Sequence, residues 1–132
     1  MSHARKVLAV ALLVASAWAV APVAEAQPPI RIGASLSQTG AGAALGQDQL
    51  RGYQLCVKHL NEKGGVLGRK LELVVYDDGS EPATAVRLYE QLITQDKVDL
   101  VLGPITSLIT DAVAGLTGKH RLPMVACSAA SR

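Results

Sequence analysis

The sequence contains no phenylalanine, and its aromatic residues are limited to one tryptophan and three tyrosines. It also lacks a strong excess of charge of either sign, since it has 13 basic and 11 acidic residues. Nucleic acids are bound by basic patches, and single strands also by stacked aromatic side chains. Because this composition provides neither feature, we do not expect nucleic acid as a partner.

The sequence also lacks an apolar run long enough to span a bilayer, which takes about 20 residues. Its longest run, 7–21, follows a positive head at Arg5 and Lys6, and a small-x-small pattern comes at 24–26. This arrangement is typical of a signal peptide, so we expect residues 1–26 to be removed and the chain to be exported to the periplasm. The alternatives are an uncleaved membrane anchor and a buried core helix.

Cysteine occurs only twice, as Cys56 and Cys127. An even count in an exported chain permits one disulfide. Helical spacing places Cys56 beside apolar residues, whereas Cys127 follows a predicted strand, so we favour two separate, mostly buried thiols over a bridge. His59 and His120 lie far apart and have no partner at ligand spacing, so we expect neither a metal nor a cofactor.

After residue 26, short β-rich segments alternate with segments that carry apolar residues at helical spacing. The predicted strands are 30–36, 71–76, 98–102 and 122–126. The first predicted helix is 47–63. Ser80 with Pro82 is a start signal for a second helix, and Thr106 and Ser107 can cap a third. The order βαβαβαβ predicts an α/β fold with a parallel sheet between two layers of helices.

Ligands of such sheets bind beyond the carboxyl ends of the strands, where the strand order reverses. The loops selected by this rule are 37–46, 77–80, 103–107 and 127–131. The first loop contains Gly40, Gly42 and Gly46, which suggests a dinucleotide-binding enzyme as an alternative. That fingerprint is G-x-G-x-x-G with an acidic residue about 20 positions on. Here the last glycine comes one residue too late, and Asp77 lies much further along the chain.

Asp77 and Asp78 form a carboxylate pair at the end of the second predicted strand. General acid and base catalysis needs two groups that face one reacting atom, whereas adjacent residues of a strand point to opposite faces. We therefore assign the pair to turn formation and helix entry. No Ser-His-Asp arrangement is supported either, so an enzyme is disfavoured.

Four segments of the sequence resemble the N-terminal lobe of periplasmic solute-binding proteins of the leucine/isoleucine/valine-binding type. They are IGASLSQTG (32–40), NEKGGVLGRKLELVVYDD (61–78), VDLVLGP (98–104) and LPMVA (122–126). These receptors serve ATP-binding-cassette (ABC) importers. The resemblance covers nearly all of residues 27–132 and implies a type I periplasmic binding protein, in which an amino acid sits between two lobes.

The resemblance also implies the positions of ligand contacts. Ser107 occupies the place of a hydroxyl residue that binds the ligand carboxylate at the start of the third helix, although Ser107 or Thr106 could instead serve only as the helix cap. Ser128 would offer its carbonyl to the ligand ammonium. Ala130 stands where the family has a hydroxyl residue, so either Ser131 replaces that hydroxyl or only the Ala130 N–H remains.

Two further positions, Leu45 and Ile105, fall where the family lines the pocket for the ligand's side chain, and ordinary packing is their alternative. The resemblance implies a second lobe of similar size and a membrane permease as partner. We therefore expect the chain to be a truncated form with weak binding and a partly uncovered sheet that favours self-association. The alternative function is an amide- or urea-sensing or other extracellular sensor domain of the same fold.

Overall fold

The computed structural model describes residues 27–129, so the predicted signal peptide, 1–26, lies outside the described residues. Strands and helices alternate in the predicted order. The strands are β1 (Ile30–Leu36), β2 (Leu71–Asp77), β3 (Leu100–Leu102) and β4 (Met124–Val125), and the helices are α1 (Ala43–Glu62), α2 (Pro82–Thr94) and α3 (Ser107–Lys119). The predicted α/β class is confirmed.

The four strands form one parallel sheet in the order β2-β1-β3-β4. In this sheet Ile32 of β1 pairs with Leu73 of β2 on one side and with Leu100 of β3 on the other. The chain moves outward from β1 to β2 and then returns across β1 to β3. Because such crossovers are right-handed, α1 covers one face of the sheet, and α2 and α3 cover the other.

The main hydrophobic core lies on the face that α2 and α3 cover. Its buried members come from both helices and from β3 with the residues before it: Ala85, Tyr89, Leu92, Val98, Val101, Ile109 and Val113. Gly33 of β1 lies beneath this layer, where an added Cβ would come within 3.1 Å of Leu92 and Val98. Burying each large apolar side chain contributes about 1.5–3 kcal/mol, so this cluster holds the sheet and two helices together.

Helix α1 begins at Ala43, four residues before the predicted start. The glycine and alanine content of 41–46 suggested a loop, but alanine is the strongest helix former. The predicted inward positions Tyr53, Val57 and Leu60 are half-buried.

Cys56 is exposed, and so is Cys127, so the prediction of mostly buried thiols was wrong. In the described residues α1 has no second helix beside it on its face of the sheet, so positions at the margin of its inward stripe meet solvent. Both cysteines are free thiols, as predicted.

Strands β3 and β4 are shorter than predicted because the residues before them terminate helices. The N–H of Val98 donates to the carbonyl of Leu92 at 3.2 Å, and that of Leu122 donates to Thr117 at 3.0 Å. Within the described range, no helix is both long and apolar enough to cross a membrane.

Candidate functional site

The strand order reverses at β1, so the loop after β1 and the loop after β3 leave the sheet on either side of a crevice. A cleft of about 430 Å³ opens there. Its lining comes from the loop after β1, the start of α1, the loop after β2 and the start of α3: Ala41, Gly42, Leu45, Ser80, Thr106, Leu108 and Ile109. The cleft therefore lies at the place that the topology predicts for a ligand.

The N-terminus of α3 forms one side of this cleft. Thr106 is the N-cap residue, and its side chain accepts a hydrogen bond from the N–H of Ile109 at 3.3 Å. Ser107 is the first residue of the helix and is half-buried. Thr106 thus fills the capping role that the sequence left open between the two residues. The helix N-terminus carries a partial positive charge that favours an anion.

Apolar side chains form the rim of the cleft. Leu45 and Leu108 line it and are 67% and 71% exposed. Ile105, the other predicted pocket residue, is 7% exposed and does not line the cleft, so the structure places it in the packed interior. Leu108 was missed by sequence reasoning, although its position next to Ser107 at the start of α3 could have identified it.

Asp77 shapes the loop after β1 from the outside. Its carboxylate accepts hydrogen bonds from the N–H of Gln38 at 2.9 Å, from the N–H of Thr39 at 3.1 Å and hydroxyl of Thr39 at 2.7 Å, and from the N–H of Gly79 at 2.9 Å. Partial desolvation acts to raise the pKa of Asp77, but these hydrogen bonds outweigh it and hold that pKa below its ordinary value. The ionised carboxylate is therefore the form that fits this turn.

Asp78 points to the opposite face and is 1% exposed. It accepts hydrogen bonds from the hydroxyls of Ser35 at 2.9 Å and Ser37 at 2.8 Å, and from the N–H of Ser80 at 2.9 Å. The two carboxylates thus face apart, as predicted, and each holds a turn. The buried serine pair was missed, although two serines spaced by two at the end of a strand could have indicated it, because such residues face the same side.

Two glycines of the 37–46 segment lie where another part of the backbone comes too close for a side chain. At Gly40, with φ of +78°, an added Cβ would lie 2.3 Å from the carbonyl oxygen of Gly79. At Gly46, an added Cβ would lie 1.9 Å from the carbonyl oxygen of Ser37. These glycines therefore let α1 and the loop after β2 approach the loop after β1, which is a different task from cradling a pyrophosphate.

Ser128 belongs to a polar cluster where β3 and β4 end. Its hydroxyl donates to the side chain of Gln49 at 3.2 Å, and the Gln49 amide contacts the Gly103 carbonyl at 3.4 Å and the hydroxyl of Tyr53. Burial, together with a side-chain contact from Cys127, raises the pKa of Tyr53. Ser128 is not among the residues that line the cleft, and Ala130 lies outside the described residues.

Across residues 27–129, no group of three or more His, Cys, Asp or Glu side chains is placed to hold a metal ion. The arrangement combines an anion-favouring helix terminus, hydroxyl groups and an apolar rim. These are features of a site that binds a small molecule.

Comparison with known proteins identifies the fold. Residues 29–132 match the family described as periplasmic binding protein. The chain belongs to the periplasmic binding protein family. The Leu/Ile/Val-binding protein BraC3 of Rhizobium johnstonii is 37% identical over 115 residues, which are 87% of this chain and 30% of that protein.

Solved structures of the family agree. The branched-chain amino acid transporter substrate binding protein LivJ of Streptococcus pneumoniae, in complex with isoleucine, has a TM-score of 0.75 and 37% identity over 78% of this chain and 30% of its own. An ABC transporter solute binding protein of Rhodopseudomonas palustris, in complex with 3,4-dihydroxybenzoic acid, has a TM-score of 0.70 and 26% identity over 78% and 28%.

The chain spans about 30% of the length of these relatives. They are substrate-binding proteins and not enzymes, which argues against the dinucleotide-binding alternative.

Proposed function

We propose that this chain forms part of the extracytoplasmic receptor of an ABC importer, and that the solute is a branched-chain or related small amino acid. The observation that carries the proposal is the cleft at the strand-order reversal. One side of it is the N-terminus of α3, and its rim is formed by Leu45 and Leu108. An amino acid with an aliphatic side chain has a carboxylate that suits the N-terminus of α3 and an apolar group that suits the rim.

In this proposal the ligand carboxylate binds at the start of α3. Ser107 contributes its hydroxyl and N–H, while Thr106 closes the helix cap beside it. The resemblance adds two contacts beyond the cleft lining. The carbonyl of Ser128 would accept from the ligand ammonium, and either the hydroxyl of Ser131 or the N–H of Ala130, both outside the described residues, would contact the carboxylate. Ile105 is buried outside the cleft lining, so the apolar contact passes to Leu45 and Leu108.

The affinity of this cleft alone should be low. Two or three hydrogen bonds to charged groups contribute about 1.5–3 kcal/mol each, whereas association costs about 4–15 kcal/mol. Micromolar binding requires about −8 kcal/mol. Even the largest hydrogen-bond gain and the smallest association cost leave only about −5 kcal/mol, so we expect binding no tighter than the millimolar range, and the test needs a method that detects such weak binding.

The test is a nuclear magnetic resonance titration of the ¹⁵N-labelled chain with L-isoleucine, with D-isoleucine as the stereochemical control. We expect saturable shifts of the amides of Gly42, Thr106, Ser107 and Leu108 with the L enantiomer. Ser107→Ala should reduce those shifts. Thr94→Ala is the matched control, because the exposed Thr94 hydroxyl only donates to the carbonyl of Glu90 within α2.

Each possible result bears on a different part of the proposal. Shifts with 3,4-dihydroxybenzoate but not with isoleucine would retain the receptor and reject the amino acid. If neither isoleucine nor 3,4-dihydroxybenzoate shifts the amides, or if only a dinucleotide does, the receptor function would be rejected as well. Unchanged binding by Ser107→Ala would remove Ser107 from the site.

The export part of the proposal rests on residues 1–26 and has its own test. Mass spectrometry of the protein recovered from a periplasmic extract should give an N-terminus at Gln27. Recovery from the membrane fraction with an intact N-terminus would contradict the cleavage.

A further inference from the structure

Ser80 has a backbone conformation that is rare for its residue type. Its φ is +69°, in the left-handed region that glycine occupies far more easily than serine. Glu81 and not Ser80 is the N-cap of α2, so helix capping does not account for Ser80. Such a conformation persists where the surroundings favour it strongly, and the side chain of Ser80 makes contacts that do so.

The hydroxyl of Ser80 joins two points of the loop after β1. It donates to the carbonyl of Thr39 at 2.9 Å and accepts from the N–H of Gly42 at 2.9 Å. The N–H of Ser80 in turn donates to the buried carboxylate of Asp78 at 2.9 Å, which also accepts from Ser37. The Ser80 side chain therefore fixes both Thr39 and Gly42 to the loop after β2, whereas Asp77 holds the segment only at Thr39.

The backbone of the two loops is packed as closely as these hydrogen bonds require. An added Cβ at Gly40 would lie 2.8 Å from the Ser80 hydroxyl oxygen, and one at Gly42 would lie 3.3 Å from it. Ala41 and Gly42, which the Ser80 hydroxyl holds in place, form a wall of the cleft, and Ser80 lines it too. The position of that wall relative to the start of α3 sets the width of the cleft.

We propose that Ser80 is a positioning residue of the binding cleft: its hydroxyl fixes the 39–42 segment as the wall that faces the N-terminus of α3, and so sets the affinity for the solute. This inference rests on the proposed function for the nature of the ligand. The left-handed backbone of Ser80 serves to aim the hydroxyl between Thr39 and Gly42.

The decisive comparison is between Ser80→Gly and Ser80→Ala. Both variants lack the hydroxyl, but glycine adopts a positive φ without strain, whereas alanine retains the strain. If Ser80 only shaped the turn, Ser80→Gly would bind as the unmodified chain does. If its hydroxyl positions the wall, both variants lose affinity, even though Ser80→Gly is at least as stable as Ser80→Ala.

Lys97→Gly is the matched control. Lys97 also has a positive φ, of 52°, but it is exposed and lies outside the cleft lining. This variant therefore shows how release of backbone strain alone affects isoleucine binding and hydrogen exchange. We expect no change in the binding of L-isoleucine and no change at the amide of Gly42.

Two readouts separate this inference from the proposed function. The first needs no ligand: hydrogen exchange of the Gly42 amide should become about fivefold to tenfold faster in both Ser80 variants, as expected for loss of one hydrogen bond. The second is the isoleucine titration, whose initial slope should fall by a similar factor.

Unchanged exchange at Gly42, or unchanged isoleucine binding by Ser80→Gly, would overturn the positioning role. If the unmodified chain does not bind isoleucine, the proposed amino-acid ligand is rejected, and the exchange rate of the Gly42 amide alone decides whether Ser80 fixes the 39–42 segment.

Discussion

The side-chain oxygen of Thr106 accepts a hydrogen bond from the N–H of Ile109 at 3.3 Å, directly beside the position predicted for ligand contact. This bond satisfies one of the N–H groups that a helix start leaves without an intrahelical partner. The hydroxyl of Thr110 also donates to the carbonyl of Thr106 at 2.8 Å. Thr106 therefore caps the first turn of α3, so replacement of Thr106 tests the cap and replacement of Ser107 tests ligand binding.

Replacement of Thr106 tests the cap. Thr106→Ala should lower the free energy of unfolding by about 0.5–2 kcal/mol, because no hydroxyl remains to accept from Ile109. Thr106→Ser retains a hydroxyl and should stay close to the unmodified chain. The measurement is urea denaturation followed by circular dichroism, and equal stability of the two variants would contradict the capping role.

Replacement of Gly46 tests the contact between α1 and the loop after β1. In an exposed helix interior, glycine to alanine normally stabilises by about 1 kcal/mol. Gly46→Ala should instead destabilise, because its Cβ would lie 1.9 Å from the carbonyl oxygen of Ser37, so the backbone would have to move.

The same helix provides the control. Gly52 is exposed, and nothing lies within 4 Å of an added Cβ there. Gly52→Ala should therefore raise the midpoint of thermal unfolding, whereas Gly46→Ala lowers it. A stabilising Gly46→Ala would show that α1 does not pack against Ser37 as described.

The two adjacent aspartates should differ strongly in their effect on stability. Asp78→Ala leaves two buried hydroxyls and the Ser80 N–H without their acceptor, and each buried unsatisfied group costs about 1–3 kcal/mol. We expect a loss of more than about 2 kcal/mol in the free energy of unfolding. Asp77 is exposed, so Asp77→Ala should cost less. Urea denaturation measures both, and similar losses would contradict the difference in burial.

Local sequence signals correctly predicted the ends of those strands and helices that are determined by residues adjacent in the sequence. Strand β1 has its predicted bounds, and α3 begins at Ser107 with Thr106 as its cap. A short β-rich segment and a hydroxyl residue before a helical pattern can be identified from the local sequence, because neither signal depends on distant residues.

Other features depend on tertiary contacts that no local pattern reports. Ser80 before Pro82 reads as a helix start, but in the fold its hydroxyl bonds to Thr39 and Gly42, 41 and 38 positions away. Cys56 lies at the margin of an apolar stripe, and its exposure follows from the absence of a neighbouring helix on that face of the described residues. The position of the cleft followed from the strand order, whereas the burial of Ile105 in the packed interior depends on tertiary contacts and leaves Leu108 in the lining.

The hydroxyl of Tyr89 donates a hydrogen bond to the carbonyl of Leu102 at 2.6 Å. Its side chain is fully buried within the core. Tyr89→Phe removes the donor and leaves the carbonyl of half-buried Leu102 without this partner, so we expect a loss of about 1 kcal/mol in the free energy of unfolding.

Burial raises the pKa of Tyr89 above the ordinary tyrosine value of about 10. The folded state therefore holds the phenol proton of Tyr89 more tightly than the unfolded state does. The neutral phenol's contribution to the free energy of unfolding is complete below pH 10 and is lost as the pH rises toward the folded pKa. Denaturation midpoints measured from pH 8 to 12 should therefore fall less steeply above pH 10 in Tyr89→Phe than in the unmodified chain. Parallel curves would show that the phenol of Tyr89 ionises as freely in the folded protein as in the unfolded one, against the burial described.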